Sequence, residues 1–357
     1  MVKSSNPPRR SVIIAARIIT LVVSLAGAEG MLWLEGYPDW WGLDPAFGGS
    51  HPEYNCDQDL GWSPREGTFT LSFPPDPRLF RYTNWSGGRR ATSLHPPPPV
   101  GPATQQVLFF GDSFIQGYGL SDPETLPWIV QQRHPELAVS NYGVGLYGTY
   151  QSYLVMQRSV HGPATVYYLF NGFHEERNAG DPSFLRIMKP SPPGCFYPYA
   201  QVSGDRIEGG RSEGDVVWYL SRHIRLVAMV QEYKQIFESY MRVRVKRRTT
   251  QRLLIEMNRL VGAQGGKFTV ILFDLDPKDR PDYRRFLEAQ RIAYVDCDRP
   301  ELNDPKLRQP DRHPSQALNQ LLARWIEPIR VESARAVSDK YPVVAGETSA
   351  NTPGKTQ

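Results

Sequence analysis

From Thr104 onward the chain alternates between two hydrophobic rhythms. Short apolar runs, "QQVLFF", "LAVSNYG", "TVYYLF", "KFTVILFD" and "IAYVDC", are separated by stretches with helical spacing, among them "PETLPWIVQQRH", "TYQSYLVMQRSV", "RLLIEMNRLVGA", "YRRFLEAQR" and "PSQALNQLLARWIEPI". Runs that are apolar at nearly every position fit strands covered on both faces, and their alternation with helices calls for a parallel sheet. The pattern predicts an α/β, flavodoxin-like doubly wound domain over 103–332, with helices on both faces and a ligand site beyond the carboxyl ends of the strands.

Three other segments break this rhythm. Near the start, Lys3, Arg9 and Arg10 precede "SVIIAARIITLVVSLAGA", interrupted only by Arg17. Basic-then-apolar order is an export signature. Ala26-Gly27-Ala28 fits a small-x-small cleavage site, whereas Met31 to Leu34 would extend an uncut segment past Glu29. Residues 1–34 are therefore read as a membrane anchor with the remainder outside the cytoplasm, ahead of a cleaved signal that would leave a secreted or periplasmic protein. A buried amphipathic helix of a cytosolic protein is the third reading. Residues 35–102 are rich in Trp, Pro and Gly, and "CDQDLGWSPREGTFTLSF" and "YTNWSGGRR" predict a small preface of short strands and turns, closed by the stiff linker "HPPPPVGP". An insertion at about 179–216 is expected to form a partly irregular lid, and 333–357, without apolar periodicity, a disordered tail.

Composition narrows the function classes. The net charge of +4 comes from 41 basic and 37 acidic side chains mixed along the chain, so no continuous basic surface for nucleic acid is expected. The densest basic run, "RVRVKRR" at Arg242 to Arg248, reads as a solvated helix face. Cys56, Cys195 and Cys297 form no CxxC or Cys/His cluster, so neither zinc nor another metal is expected. In an exported chain they allow one disulfide and one leftover thiol, with the pair unspecified. The glycines of "GDSFIQGYG" near a helix start match neither GxGxxG nor GxxxxGK[ST], which argues against a nucleotide there, and no cofactor is expected.

The candidate chemistry starts at "VLFFGDSFIQGYG", Val107 to Gly119. Ser113 is either a helix-capping hydroxyl or a nucleophile lifted onto the end of a buried strand. In a doubly wound sheet the loops "NYGVGLYGT", "NGFHEERN" and "LRQPDRHPS" would open on the same edge as Ser113. Of the seven histidines, His51, His95, His134, His161 and His223 have structural readings in Pro-rich or helical surroundings. His313 stands at the active edge with Asp311 two residues earlier. An imidazole there could take the serine proton while the carboxylate holds its other nitrogen. As alternatives, Asp311 is a cap or an ion-pair partner of Arg312.

Taken together, these blocks resemble the SGNH, or GDSL-type, serine hydrolases over roughly Val107 to Ile329, and "DLGW" and "YTNWSGGRR" resemble the preface of membrane-tethered extracytoplasmic members. The resemblance implies Ser113 as nucleophile, His313 as base and Asp311 as its partner. It implies oxyanion donors at the backbone of Ser113, at the backbone of Gly145 or Leu146, and at the side chain of Asn171 or His174. Three departures stand out. Leu146 occupies the place of the usual glycine five residues after Asn141, the familiar Gly-x-Asn-Asp is missing, and Asp-x-His replaces Asp-x-x-His. The last variant resembles relatives acting on polysaccharide O-acetyl groups. The implied activity is hydrolysis of a small acyl ester, a carbohydrate O-acetyl group among the candidates. The alternatives are transfer of the acyl group to an exported polysaccharide and a catalytically degenerate binding or assembly protein.

Overall fold

The computed structural model describes residues 10–37, 52–73, 76–96, 104–181, 184, 195–212, 220 and 223–326. The tail at 333–357 and most of the Pro-rich linker lie outside the described residues.

Five parallel strands form the centre of the main sheet: β6 (Gln106–Gly111), β7 (Ala138–Gly143), β8 (Thr165–Phe170), β11 (Lys267–Leu272) and β12 (Ala293–Asp296). Their spatial order is β12-β11-β8-β6-β7, the doubly wound order that the alternating pattern predicts. Each central strand feeds two cores at period two. Val107 and Phe109 of β6, with Tyr167 and Leu169 of β8, face one cluster, while Leu108, Phe110, Val166, Tyr168 and Phe170 face the other. Helices α3 (Leu126–Arg133) and α9 (Gln316–Trp325) cover the first face. The second is covered by α4 (Thr149–Ser159), α7 (Val243–Ala263) and α8 (Arg280–Ala289). Strand β12 is at the edge and only partly buried, which explains its weaker apolar run.

The sheet does not end at β7. Strands β3 (Gly67–Phe73), β4 (Asp76–Trp85) and β5 (Arg89–Arg90) continue it antiparallel, giving eight strands that come from both sides of the Pro-rich linker. The joint is small, because β5 meets β7 through the single pair Arg90 and Asn141. Its effect is large: the edge of β7, which would otherwise offer unpaired N–H and C=O groups, is covered.

Two hairpins flank this body. One pairs β1 (Tyr54–Asp57) with β2 (Gly61–Pro64), and the other pairs β9 (Tyr197–Ser203) with β10 (Arg206–Ser212) inside the insertion. A disulfide between Cys56 and Cys195 ties the first hairpin to the entrance of the second and leaves Cys297 as a buried free thiol. Leu60 and Trp62 complete the packing between them, in a cluster with Tyr147, Phe184 and Tyr197. Helix α1 (Arg10–Leu34) is the one helix among the described residues that is long and apolar enough to cross a membrane. At about 1.5 Å per residue its 25 residues exceed the hydrocarbon thickness of a bilayer.

Candidate active site

Strand β6 delivers the chain to Asp112 and Ser113, where it turns into the short helix α2 (Ser113–Gln116). The capping question has a definite answer: Asp112 is the N-cap, its Oδ1 accepting the Phe114 N–H at 3.0 Å. Ser113 is the first helical residue, and its Oγ lies 2.9 Å from His313 Nε2. The other ring nitrogen of His313 lies 2.9 Å from Asp311 Oδ2, an ion-pair contact not aligned as a straight N–H hydrogen bond. Asp311 Oδ1 also accepts the backbone N–H of His313 at 3.1 Å. Burial alone would raise the Asp311 pKa, but the contacts with His313 outweigh it and hold the carboxyl below its usual range. Arg312, between the two, takes φ 71°, and this left-handed residue turns the chain so that both neighbours reach the same ring. The imidazole is packed between Phe114 and Tyr118, with ring centroids 5.1 and 4.7 Å away.

Asn171 and His174 follow β8, as the pattern predicts, but the structure joins both to Asp112. Asn171 Nδ2 donates to Asp112 Oδ2 at 3.1 Å, and His174 Nε2 lies 3.2 Å from the same oxygen. Arg177, at the end of α5 (His174–Asn178), also reaches Asp112 Oδ2 at 3.2 Å and donates to the Tyr147 carbonyl at 2.9 Å. The physical reason is the need of a fully buried carboxylate for partners. Burial pushes the Asp112 pKa up, and the contacts with His174, then Arg177 and the Phe114 N–H, more than reverse this, so Asp112 stays ionised well below the ordinary range. His174 moves down, because its own burial outweighs the attraction of Asp112. A neutral ring fits these surroundings: Nε2 faces Asp112 Oδ2 without a straight N–H alignment, and Nδ1 lies 2.8 Å from the Tyr168 hydroxyl, whose own hydrogen goes to Thr149 Oγ1. Both ring nitrogens are thus turned to these two side chains. Asn171 Nδ2 carries two hydrogens and keeps one in hand.

Gly145 and Leu146 lie in the loop after β7. Leu146 adopts φ 67°, the left-handed conformation that a glycine takes without strain, so the backbone keeps the shape of the missing glycine. Trp62 Nε1 donates to the Gly145 carbonyl at 3.3 Å. In a planar trans peptide the Leu146 N–H then points away from Trp62. Gly143 approaches closely: a Cβ there would stand 2.4 Å from the Gln116 backbone nitrogen.

Several supporting residues gave no local signal in the sequence. Arg90, fully buried, donates to the carbonyls of Gln116, Gly117 and Leu120 and pairs with Asp122 at 3.4 Å. Tyr54 accepts from Gln116 Nε2 at 2.6 Å. Gln309 Nε2 donates to Tyr118 at 2.8 Å and to Pro314 at 2.9 Å, linking the His313 loop to the chain beyond α2. Tyr54, Trp62 and Arg90 all come from the preface. Among the described residues no group of His, Cys, Asp and Glu side chains has the arrangement of a metal site.

No protein-family model matches the chain, and a search of curated proteins returns no match. Among solved structures the chain is similar to a lipolytic protein of the G-D-S-L family from Veillonella parvula, at 10% identity and TM-score 0.38, over 64% of this chain and 100% of that one. It is also similar to TesA, at 16% identity and TM-score 0.36, over 63% and 97% of the two chains. A third is the psychrotrophic esterase EstA from Pseudoalteromonas sp., at 13% identity and TM-score 0.36, over 62% and 92%.

Proposed function

We propose that this chain is a serine ester hydrolase of the SGNH, or GDSL, type that works through an acyl-Ser113 intermediate. The observation that supports it is the contact line Ser113 Oγ, His313 Nε2, His313 Nδ1 and Asp311 Oδ2, with 2.9 Å at each step between residues. His313 takes the hydroxyl proton as Ser113 attacks the ester carbonyl, and Asp311 stabilises the imidazolium that forms. The same proton then goes to the departing alkoxide, and a water activated by His313 releases the acid. The backbone N–H groups of Ser113 and of the Gly145-Leu146 turn receive the developing oxyanion, together with the second Nδ2 hydrogen of Asn171. His174, with its ring nitrogens turned to Asp112 and Tyr168, is a positioning residue in this reading.

The finer reading is a small acyl group, a carbohydrate O-acetyl ester being the candidate that the Asp-x-His spacing favours. Residues 1–34 anchor the chain, and the catalytic domain lies outside the cytoplasm. Helix α1 supports the first point, and the Cys56–Cys195 disulfide, which persists in oxidising compartments, supports the second.

A fluorophosphonate probe tests the chemistry. Labelling of Ser113 that disappears in both Ser113→Ala and His313→Ala is expected. A folded wild-type chain that takes up no probe and hydrolyses no short aryl ester would leave the binding-protein reading instead.

A further inference from the structure

Helix α6 (Arg225–Met241) has an apolar stripe that stands exposed among the described residues. Val230, Tyr233, Ile236, Phe237, Tyr240 and Met241 are 59 to 79% exposed, and their spacings of three and four place them along one side. Three aromatic side chains at this exposure, Tyr233, Phe237 and Tyr240, are unusual on a soluble surface. The exposed Lys234, Arg244 and Arg248 flank the stripe or follow it into α7. Lys246 and Arg247 of the same basic run turn inward, to Asp181 at 3.0 Å and to Glu175 at 3.0 Å.

The position of α6 supplies its occupant. Its first two N–H groups, of Arg225 and Leu226, donate to the Glu29 carboxylate at 2.8 Å each, and Arg225 Nε donates to the Tyr37 carbonyl at 2.9 Å. The Tyr37 hydroxyl bonds Glu232 one turn and more along α6. Glu29 and Tyr37 belong to the end of α1 and the residues just beyond it, where a spanning helix leaves the hydrocarbon. Trp33, 62% exposed, stands at the same level, where amphipathic rings collect at membrane interfaces. The start of an amphipathic helix is thus fastened to the exit of the one apolar helix among the described residues that is long enough to span a bilayer.

We infer that α6 lies in the outer interface of the bilayer that α1 spans, its apolar stripe among the acyl chains and its basic residues on anionic headgroups. This rests on the anchored reading of α1. It also sets the direction in which the enzyme faces. Helix α7 follows α6 directly and runs antiparallel to the strands, with its first turns beside the loop after β8: Arg242 Nη2 donates to Ala179 at 3.0 Å, and Asn178 Nδ2 to Thr250 at 2.7 Å. That loop opens on the carboxyl edge where Ser113 stands. An interfacial α6 therefore holds the active edge near the membrane surface, and esters displayed at that surface are the substrates within its reach.

The test uses the full chain in vesicles of phosphatidylcholine and phosphatidylglycerol, with an environment-sensitive dye on single cysteines introduced at Phe237, Tyr233, Val22 and Arg285. Native Cys297 is fully buried and the other two cysteines are bonded, so labelling is confined to the new site. Lipids with a quencher high on the acyl chain are expected to reduce emission several-fold at 237 and 233 but not at 285, and a deep quencher should act at 22. Strong quenching at 22 with none at 233 and 237 would overturn the interfacial placement and leave the anchor standing. Quenching absent at 22 as well would overturn the anchor on which it rests. Pyrene excimers at 237 without lipid quenching would assign the stripe to a second copy of this chain and overturn the proposal. Using two stripe positions guards against one labelled chain failing to fold. In the intact case, Phe237→Asp should lower turnover of a vesicle-embedded ester at least tenfold relative to a soluble aryl ester.

Discussion

The proposed nucleophile and the proposed base are held in opposite ways. Asp112 to Gln116 are buried, Ser113 itself 7% exposed, and the turn is fixed from outside by Arg90 on one side and by Asn171, His174 and Arg177 on the other. Asp311 and His313 are open to solvent over about a quarter of their side chains and are fixed from within by a tight turn: Gln309 N–H to His313 O at 2.8 Å, Arg312 N–H to Gln309 O at 2.9 Å, and the pair Arg308 and Pro314. Buried charge held by distant partners couples geometry to global stability. A local turn at the surface does not. The two halves of one reaction centre should therefore fail differently when mutated.

The largest contrast is expected on activity. Ser113→Ala and His313→Ala should each lower turnover of a short aryl ester by about 10⁴ to 10⁶, with unchanged thermal midpoints, because the chemistry is lost while the packing is not. Asp311→Asn should cost about 10⁴, again with the fold intact. Near-wild-type turnover in any of the three would break the comparison on the base side.

On the nucleophile side the loss should appear first as stability. Asp112→Ala leaves Arg177 and His174 facing an empty carboxylate position, and Arg90→Met takes the guanidinium from buried Asp122 and from the Gln116, Gly117 and Leu120 carbonyls, so about 3–5 kcal/mol of destabilisation is expected for each. Denaturant midpoints measure this. A loss below 1 kcal/mol for both would show the turn to be self-supporting.

Acid titration sharpens the same point. His174 has its folded pKa below the ordinary value near 6.5, so as pH falls from about 6.5 the unfolded chain takes up a proton that the folded chain refuses, and stability drops. Asp112, with its folded pKa depressed, contributes stability fully present above its unfolded value of about 3.9 and lost as pH falls further. His174→Gln, which can still donate to Asp112, should flatten the slope of stability below pH 6.5 and leave the lower limb in place. An unchanged slope would mean that His174 does not stay neutral in the fold.

The smallest effect is expected at Leu146. Leu146→Gly relieves a left-handed side chain worth about 1–2 kcal/mol in the folded state, offset by the greater freedom of glycine in the unfolded chain. Turnover within threefold of wild type is expected if the donor is the backbone N–H. A loss of a hundredfold would assign the leucine side chain a part in substrate binding.

These contrasts follow what could and could not be read from the sequence. The five parallel strands were legible because each is an apolar run bounded by turn residues, and the four loops followed from strand order alone. Ser113, Asp311 and His313 were singled out by their loops at one sheet edge and by the resemblance, and the structure brings them together at 2.9 Å from one to the next. The identity of the cap was not: Asp112 and Ser113 are both good capping residues, and only the 2.9 Å contact with His313 separates their tasks. Arg90 looks in the sequence like half of a surface Arg-Arg pair, and nothing local reveals that it is fully buried under the nucleophile turn. The joining of β5 to β7 rests on one pair of residues 51 positions apart, Arg90 and Asn141, and neither strand carries a mark of its partner. Leu146 was an anomaly by residue type and became intelligible only through its φ.

The cysteines carry one more consequence. Three thiols allow three pairings, and a chain exported as proposed must settle on one while oxidants and other thiols are present. Cys297 sits at the end of the sheet among Phe273 and Leu302, fully buried, and burial pushes its pKa to about 12. Thiolate is the attacking species in disulfide exchange, so once this part of the core closes almost none is available to attack the Cys56–Cys195 bond. Closing the core thus acts as proofreading: chains that fold before oxidising can form only one bridge, and that bridge, once made, meets no internal rival.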